Sequence, residues 1–324
     1  MLKYVLKRLG YILVTLWVIV TCTFFMMKNL PGTPFDAERF SIMTPQQQER
    51  VLEMYGLNDS LPMQYVKYIK NMLKGDLGTS FTYVNQDVSK VITGRLGPSA
   101  LIGIQAVLIG LAIGLILGIL AAWKHNSGID YFTMILAVLG VSVPNFVAAA
   151  LLQYYIGLKW GALPVGFWTG WNCSVLPSIA LSFSATAMVA RFMRTEMLDV
   201  LDQDYIVTAR AKGLSQMKVL MRHAVRNSIL PVVTILGPIV VNLMTGSLAV
   251  ENIFSIPGIG SLFVDCIKAN DYPVIMGITI FYAAFYMLIV LLVDLAYSLI
   301  DPRIRLAKGK EIKEEVIFTL FSSH

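Results

Sequence analysis

Charge is scarce in this chain: Asp, Glu, Lys and Arg make up 14% of its 324 residues, against 56% hydrophobic residues. An ordinary soluble domain is excluded by that balance. Catalytic equipment is scarce too. No GxxxxGK[ST] phosphate loop occurs, since the one Gly-Lys pair, Gly309-Lys310, is followed by Glu311. The chain therefore does not carry its own ATPase. There is no HExxH. The three histidines, His125, His223 and His324, fall outside the apolar runs, which leaves an intramembrane protease or metalloenzyme nothing to work with and predicts no metal site. Three cysteines, Cys22, Cys173 and Cys266, fit neither a zinc site nor a disulfide framework, although a Cys173–Cys266 bridge stays open. The net charge of +6 is better explained by basic membrane-side loops than by nucleic acid.

What is present is apolar sequence in long runs. Six are long enough, or nearly so, to cross a bilayer: about 9–27, 99–122, 132–158, 175–190, 229–250 and 274–300. The fourth is short and has to borrow residues at its ends. The first follows Lys3, Lys7 and Arg8 and has no small-x-small cleavage site, so it reads as an uncleaved anchor. Pro144 and the Gly237-Pro238 pair predict kinks in the third and fifth runs. Gly103, Ala106, Gly110, Gly114 and Gly118 form a small-residue stripe on the second, which permits close helix packing. Lysine and arginine cluster in alternate loops, placing both termini and the Arg191–Asn227 loop on the cytoplasmic side. The reading is an all-α, multi-pass protein of six transmembrane helices.

Between the first two runs lies a long polar segment, 31–98, with helix signals. Thr44-Pro45 with Gln47 spells a capping box, and Gly56 stops that helix. A second helix spans 62–74, with Tyr65, Ile69, Met72 and Leu73 on one face and Gly75 after it. A third amphipathic stretch, about 86–96, aligns Val88, Ile92 and Leu96. Two readings stay open for these helices, a small helical cap or interfacial helices on the bilayer.

The charged island 191–231 reads as two helices meeting at Gly213, the first over about 197–212 and the second from Gln216 to about Ile229, capped by Ser215 and ending before Pro231. Lys218, Arg222 and Arg226 form a basic row on the second. A solvated basic loop and a docking element both fit this pattern.

Within the runs the sole clear charge is Asp294, near the end of the sixth, and it is read as a structural ion-pair member. Ion-coupled carriers usually place ionisable groups inside their spans, so this near absence speaks against one. Uncharged polar residues remain as candidate pore lining, with helix–helix hydrogen bonding as the competing reading: Ser178, Ser182 and Thr186 on the fourth run, Asn242 and Thr245 on the fifth.

The stretch RTEMLDVLDQDYIVTARAKGLS followed by RHAVRNSILP resembles the cytoplasmic loop of ABC importer permeases of the oligopeptide/dipeptide branch. LPGTPFD, GLNDSLPMQYVKYIKNMLKGDLGTS, ENIFSIPGIGSLFVDCIKANDYP and LVDLAYSLIDPRIRL resemble the same branch in the same order, so the likeness extends from Met1 to about Leu306. Thr208-Ala209-Arg210 stands where the wider superfamily has an acidic-alanine run, and Leu230-Pro231 comes later than usual, departures that look like the branch's own variant.

The resemblance implies the type I importer permease fold, with an anchor (1–30), a long helical extracytoplasmic loop (31–98), a five-span core (99–306) and a cytoplasmic tail (307–324). It also implies an ATPase-coupling loop over 191–228, centred on Tyr205, Thr208, Ala209, Arg210, Ala211, Lys212, Gly213 and Leu214. The partners it implies are a homologous second permease, two cytoplasmic ATPases that hold the ATP and Mg, an external substrate-binding protein and a peptide substrate, in a bacterial cytoplasmic membrane. No cofactor is implied on this chain. An ion-coupled carrier, or an importer of nickel or glutathione, is the alternative.

Overall fold

The computed structural model describes residues 2–29, 40, 42–54, 56–83 and 86–300; for 2–6, 54, 294 and 296–300 it describes the backbone alone. Among the described residues the architecture is all-α, with a single antiparallel bridge between Thr79 and Asp87 outside the helices. Among the described residues five helices are long and apolar enough to cross a membrane, and a bent pair makes a sixth crossing if taken as one span. The chain forms two compact units. The first gathers the described residues of Met1–Gly103 with Leu152–Pro177 and Met244–Met287, and the second gathers Ile104–Leu151, Ser178–Leu243 and the described residues from Leu288 on.

Helix α1 (Leu2–Lys28) contains the first apolar run. Helix α2 (Pro45–Met54) begins with the capping box: Thr44 N–H donates to Gln47 Oε1 at 2.9 Å and Gln47 N–H to Thr44 Oγ1 at 3.4 Å. Gly56, at φ +65°, follows its end. Helix α3 (Leu61–Met72) packs on α1 through Tyr65, whose ring lies 5.4 Å from Phe24 and whose hydroxyl is 2.7 Å from Thr21 Oγ1. Leu73, expected on the packing face, is exposed, and Tyr68 packs near Phe24 instead.

Three proline positions depart from expectation. The amphipathic stretch near 86–96 and the second span form one 36-residue helix, α4 (Val88–Trp123), which continues through Pro98. The lost hydrogen bond costs less than the core that Val88, Val91 and Ile92 build with Ile259, Leu262, Ile275 and Ile278 of the same unit. Pro144 does more than kink its span. Helix α5 (Gly128–Ser142) and the limb made of α6 (Asn145–Leu152) and a π-helical turn (Gln153–Lys159) meet at 101°. Val143, directly before the proline, is driven to an extended conformation (φ −82°, ψ 119°), which ends the helix. Pro231, expected to close a loop helix, lies inside α9 (Arg226–Met244), as does Pro238.

The fourth span does borrow: α7 runs Val175–Leu201, beyond its apolar stretch. It is also the most buried span, with 67% of its core window inside the protein against 28% for α4. The α4 glycines explain this. A Cβ on Gly110 or Gly114 would come 2.7 Å from the Cβ of Ala185 or Val189, and one on Gly118 2.6 Å from Ala190 O. From α5, a Cβ on Gly140 would reach 3.0 Å from Ala187 Cβ. Two helix backbones thus lie directly against α7, where dispersion contacts replace the hydrophobic effect that lipid does not supply.

After α7 come α8 (Asp204–Ala211), then a turn Gln216–Lys218 and a π-helical stretch Val219–Val225 that lead unbroken into α9. Helices α10 (Leu248–Ile253), α11 (Ile259–Lys268) and α12 (Tyr272–Ile300) complete the described residues, α11 burying Ile259, Leu262 and Cys266 on one face. The 307–324 tail lies outside the described residues.

Candidate functional site

The 191–228 loop is smaller than its sequence suggested, because both of its flanks are extensions of α7 and α9. What remains between them is α8 and the bend. Gly213 adopts φ +78°, with open space where a Cβ would point, so its glycine requirement is purely one of backbone. Ile206 and Ala209 form a small core with Val219, flanked by Val200 and Leu201. Asn227 Nδ2 donates to the Tyr205 hydroxyl at 3.3 Å, pinning α8 against the start of α9.

This packing separates two alanines of the loop, Ala209 and Ala211. Ala209 is buried at 6% exposure and supports the loop from within, whereas Ala211 is exposed. The outward surface consists of Tyr205, Val207, Thr208, Arg210, Ala211, Lys212 and Leu214, continued by Met217 and Met221. Lys218, Arg222 and Arg226 are exposed beside them. An apolar patch framed by cations on a preformed bend is a surface suited to another protein.

The polar residues expected along a path are placed unequally. Ser178 Oγ donates to Gln105 Oε1 at 2.8 Å and Ser182 Oγ to Ile179 O at 2.8 Å, and both residues are buried. These two serines serve packing within their unit, because the glycine stripe draws α4 over them. Thr186 is half-buried at the same contact. Asn242 is exposed, and Thr245 is half-buried with its carbonyl accepting from the Tyr282 hydroxyl at 2.6 Å. Asp294 lies on α12, but its side chain is outside the described residues.

Three buried carboxylates escaped the sequence reading. Asp130 and Glu251 fall just outside the apolar runs, so a count of charge within runs passes over them. Asp130, on α5, receives Arg194 Nε at Oδ1 (2.5 Å) and Arg194 Nη2 at Oδ2 (2.8 Å), with Asn126 N–H donating at 3.0 Å. Glu251, on α10, accepts from Ser99 Oγ (2.7 Å) and from the Ser261 N–H (2.8 Å). Ser99 Oγ in turn accepts from the Ile259 N–H at 2.9 Å. Asp271 accepts from Ser80 Oγ (2.5 Å) and the N–H groups of Phe81 (3.2 Å) and Thr82 (3.1 Å). The signal available for all three was local: each stands at or near a helix start, Asp130 in the first turn of α5, Glu251 in the first turn of α10 and Asp271 directly before α12.

Cys173 and Cys266 are separate buried thiols, so the open question of a bridge closes against it. Burial, then Asp271 and Asp265 nearby, pushes the Cys266 thiol up to about 12. The first unit also holds a cavity of about 340 Å³ lined by Lys28, Glu53, Asp76 and the Tyr68 ring, whose buried hydroxyl has no partner among the described residues. Among the described residues no cluster of His, Cys, Asp or Glu could hold a metal ion.

Comparison with known proteins accounts for this arrangement. Residues 114–306 match the family described as binding-protein-dependent transport system inner membrane component, and residues 1–98 match its N-terminal counterpart. The dipeptide transport system permease protein DppB of Lactococcus lactis subsp. cremoris is 46% identical over 94% of this chain and 100% of its own length. DppB of Bacillus subtilis is 43% identical over 95% and 99%. The oligopeptide transport system permease protein OppB of Salmonella typhimurium is 39% identical over 94% and 100%. A non-enzymatic, multi-pass bacterial membrane component fits both the helices and the relatives, and the chain belongs to the family of binding-protein-dependent transport system inner membrane components.

Proposed function

We propose that this chain is the permease subunit of an ATP-driven importer of di- or oligopeptides. The observation that carries the reading is end-to-end similarity to dipeptide and oligopeptide permeases, and the preformed bend at Gly213 supports it. In this reading both termini and the 191–228 loop face the cytoplasm. Two separate ATPase subunits, which hold ATP and Mg, dock on Tyr205, Thr208, Arg210, Ala211, Lys212 and Leu214. A homologous second permease completes the path, and an external binding protein delivers the peptide. Closure of the ATPases pushes on α8, and the spans rock between inward-open and outward-open states. Asn242 and Thr186 carry uncharged polar groups along the path, a character that suits a peptide backbone of any sequence.

The test uses the whole complex. Gly213→Val costs about 1–2 kcal/mol of backbone strain and re-aims the second half of the loop. Ala211→Glu places a charge on the outward face. Both variants should insert normally, yet co-purify poorly with the ATPases or hydrolyse ATP without uptake. Wild-type co-purification and uptake in both would reduce the loop to a solvated linker. Gradient-driven uptake by the isolated chain in vesicles would replace the importer with an ion-coupled carrier.

A further inference from the structure

We infer that the buried Asp130–Arg194 pair, with His125, is a positioning strut that carries movement of the 191–228 loop into the helices of its unit. The inference rests on the importer reading above. The guanidinium meets the carboxylate side-on, with Nε on one oxygen and Nη2 on the other. Such a fork fixes angle as well as distance, which a single hydrogen bond or an apolar contact does not. Asp130 is 3% exposed and Arg194 20% at the side chain. His125 Nδ1 lies 3.1 Å from Asp130 Oδ2 and 3.2 Å from Arg194 Nη2, closing the group from the short connection between α4 and α5.

The location is what makes this more than an anchor. Arg194 sits about two helical turns before Leu201, where α7 gives way to the loop. At the same level Gly118 of α4 lies against α7: a Cβ there would be 2.8 Å from Met193 Cβ and 3.2 Å from Arg194 N. Two residues further, Ser228 Oγ at the start of α9 donates to Glu196 O at 3.2 Å. Helices α4, α5, α7 and α9 of this unit are thus joined at one junction, about two helical turns of α7 before the loop. With the fork in place α7 cannot rotate about its axis or slide past α5, so displacement of α8 moves these helices together. A buried ion pair is rarely more stabilising than a well-packed apolar pair of similar volume. The property the pair has and an apolar pair lacks is register.

That difference defines the experiment. The full complex with its ATPases is reconstituted, and peptide uptake per ATP hydrolysed is measured at equal amounts of assembled complex. Asp130→Asn and Arg194→Gln should lower the ratio by about fivefold or more, the lower end of ordinary coupling between sites. Arg194→Lys, which keeps the charge and loses the fork, should fall between these and wild type. The combined Asp130→Leu, Arg194→Met variant should assemble normally and remain uncoupled. A wild-type ratio in that apolar pair would overturn the strut and leave a structural anchor. Should the apolar pair fail to assemble, a wild-type ratio in Arg194→Lys would overturn it equally. Loss of ATP-driven uptake in the wild-type complex would sink the importer reading itself, and the strut with it.

Discussion

The two units bury carboxylates by different chemistry. In the first, Glu251 is held by the Ser99 hydroxyl and the Ser261 N–H at the start of α11, and Asp271 by the Ser80 hydroxyl and the N–H groups of Phe81 and Thr82. In the second, Asp130 is held chiefly by a guanidinium from α7. The physical cause is what each place has to offer. In the first unit the short helices and turns around Glu251 and Asp271 bring hydroxyls and free N–H groups to the carboxylate, which they satisfy without a counter-charge. In the second, Asn126 supplies one N–H to Asp130, and the remaining acceptor sites are met by the guanidinium of Arg194. Both arrangements join segments far apart in sequence, Ser99 with Glu251 and Ser80 with Asp271 in the first unit and Asp130 with Arg194 in the second, but only the fork fixes the angle between two helices.

The largest effect should come from breaking the second arrangement. Asp130→Asn leaves Arg194 with no counter-charge, and removal of one partner from a buried pair costs about 3–5 kcal/mol. Thermal unfolding of the purified chain in detergent measures it. A loss no larger than that of Glu251→Gln would erase the contrast.

Glu251→Gln should be the milder change, about 1–3 kcal/mol, since one amide oxygen still accepts while the amide NH2 faces either Ser99 or the Ser261 N–H. The glycines sharpen this. A Cβ on Gly258 would overlap the Glu251 carboxyl group, and one on Gly260 would lie 3.1 Å from Glu251 Oε2. Gly258→Ala and Glu251→Gln therefore act on one contact, and combined they should destabilise by less than the sum of the two. Additive losses in the same unfolding assay would mean that the carboxylate and the turn are independent.

The smallest effect concerns the thiol beside Asp271. With its pKa pushed up to about 12 by burial and the nearby carboxylates, Cys266 carries almost no thiolate at neutral pH. A soluble maleimide should leave it unlabelled in the folded protein and modify it after denaturation. Labelling of native Cys266 at the rate of a free thiol would mean that the Asp271 turn opens readily and that the first unit is less firmly held than its hydrogen bonds suggest.

Much of this protein was legible in local features. Apolar run length determined the all-α membrane class, because a backbone in lipid must satisfy its hydrogen bonds internally. The Thr44–Gln47 capping box and the left-handed Gly213 were readable because they depend on residues within one turn of chain. What tertiary structure alone decided involves partners distant in sequence. Pro144 breaks its span while Pro98 and Pro231 do not. A proline's outcome turns on whether packing on either side repays the lost hydrogen bond, and for Pro98 that packing comes from Ile259 to Ile278. Ala209 and Ala211 read alike, yet one supports the loop and the other faces outward, because Val219 folds back over only one of them. Asp130 is a helix-start acid until Arg194, 64 residues later, arrives to hold it. Local preferences are written in neighbouring residues, but the partner of a buried charge is chosen by which helices can approach, and here the glycines of α4 and α5 let two backbones close on α7.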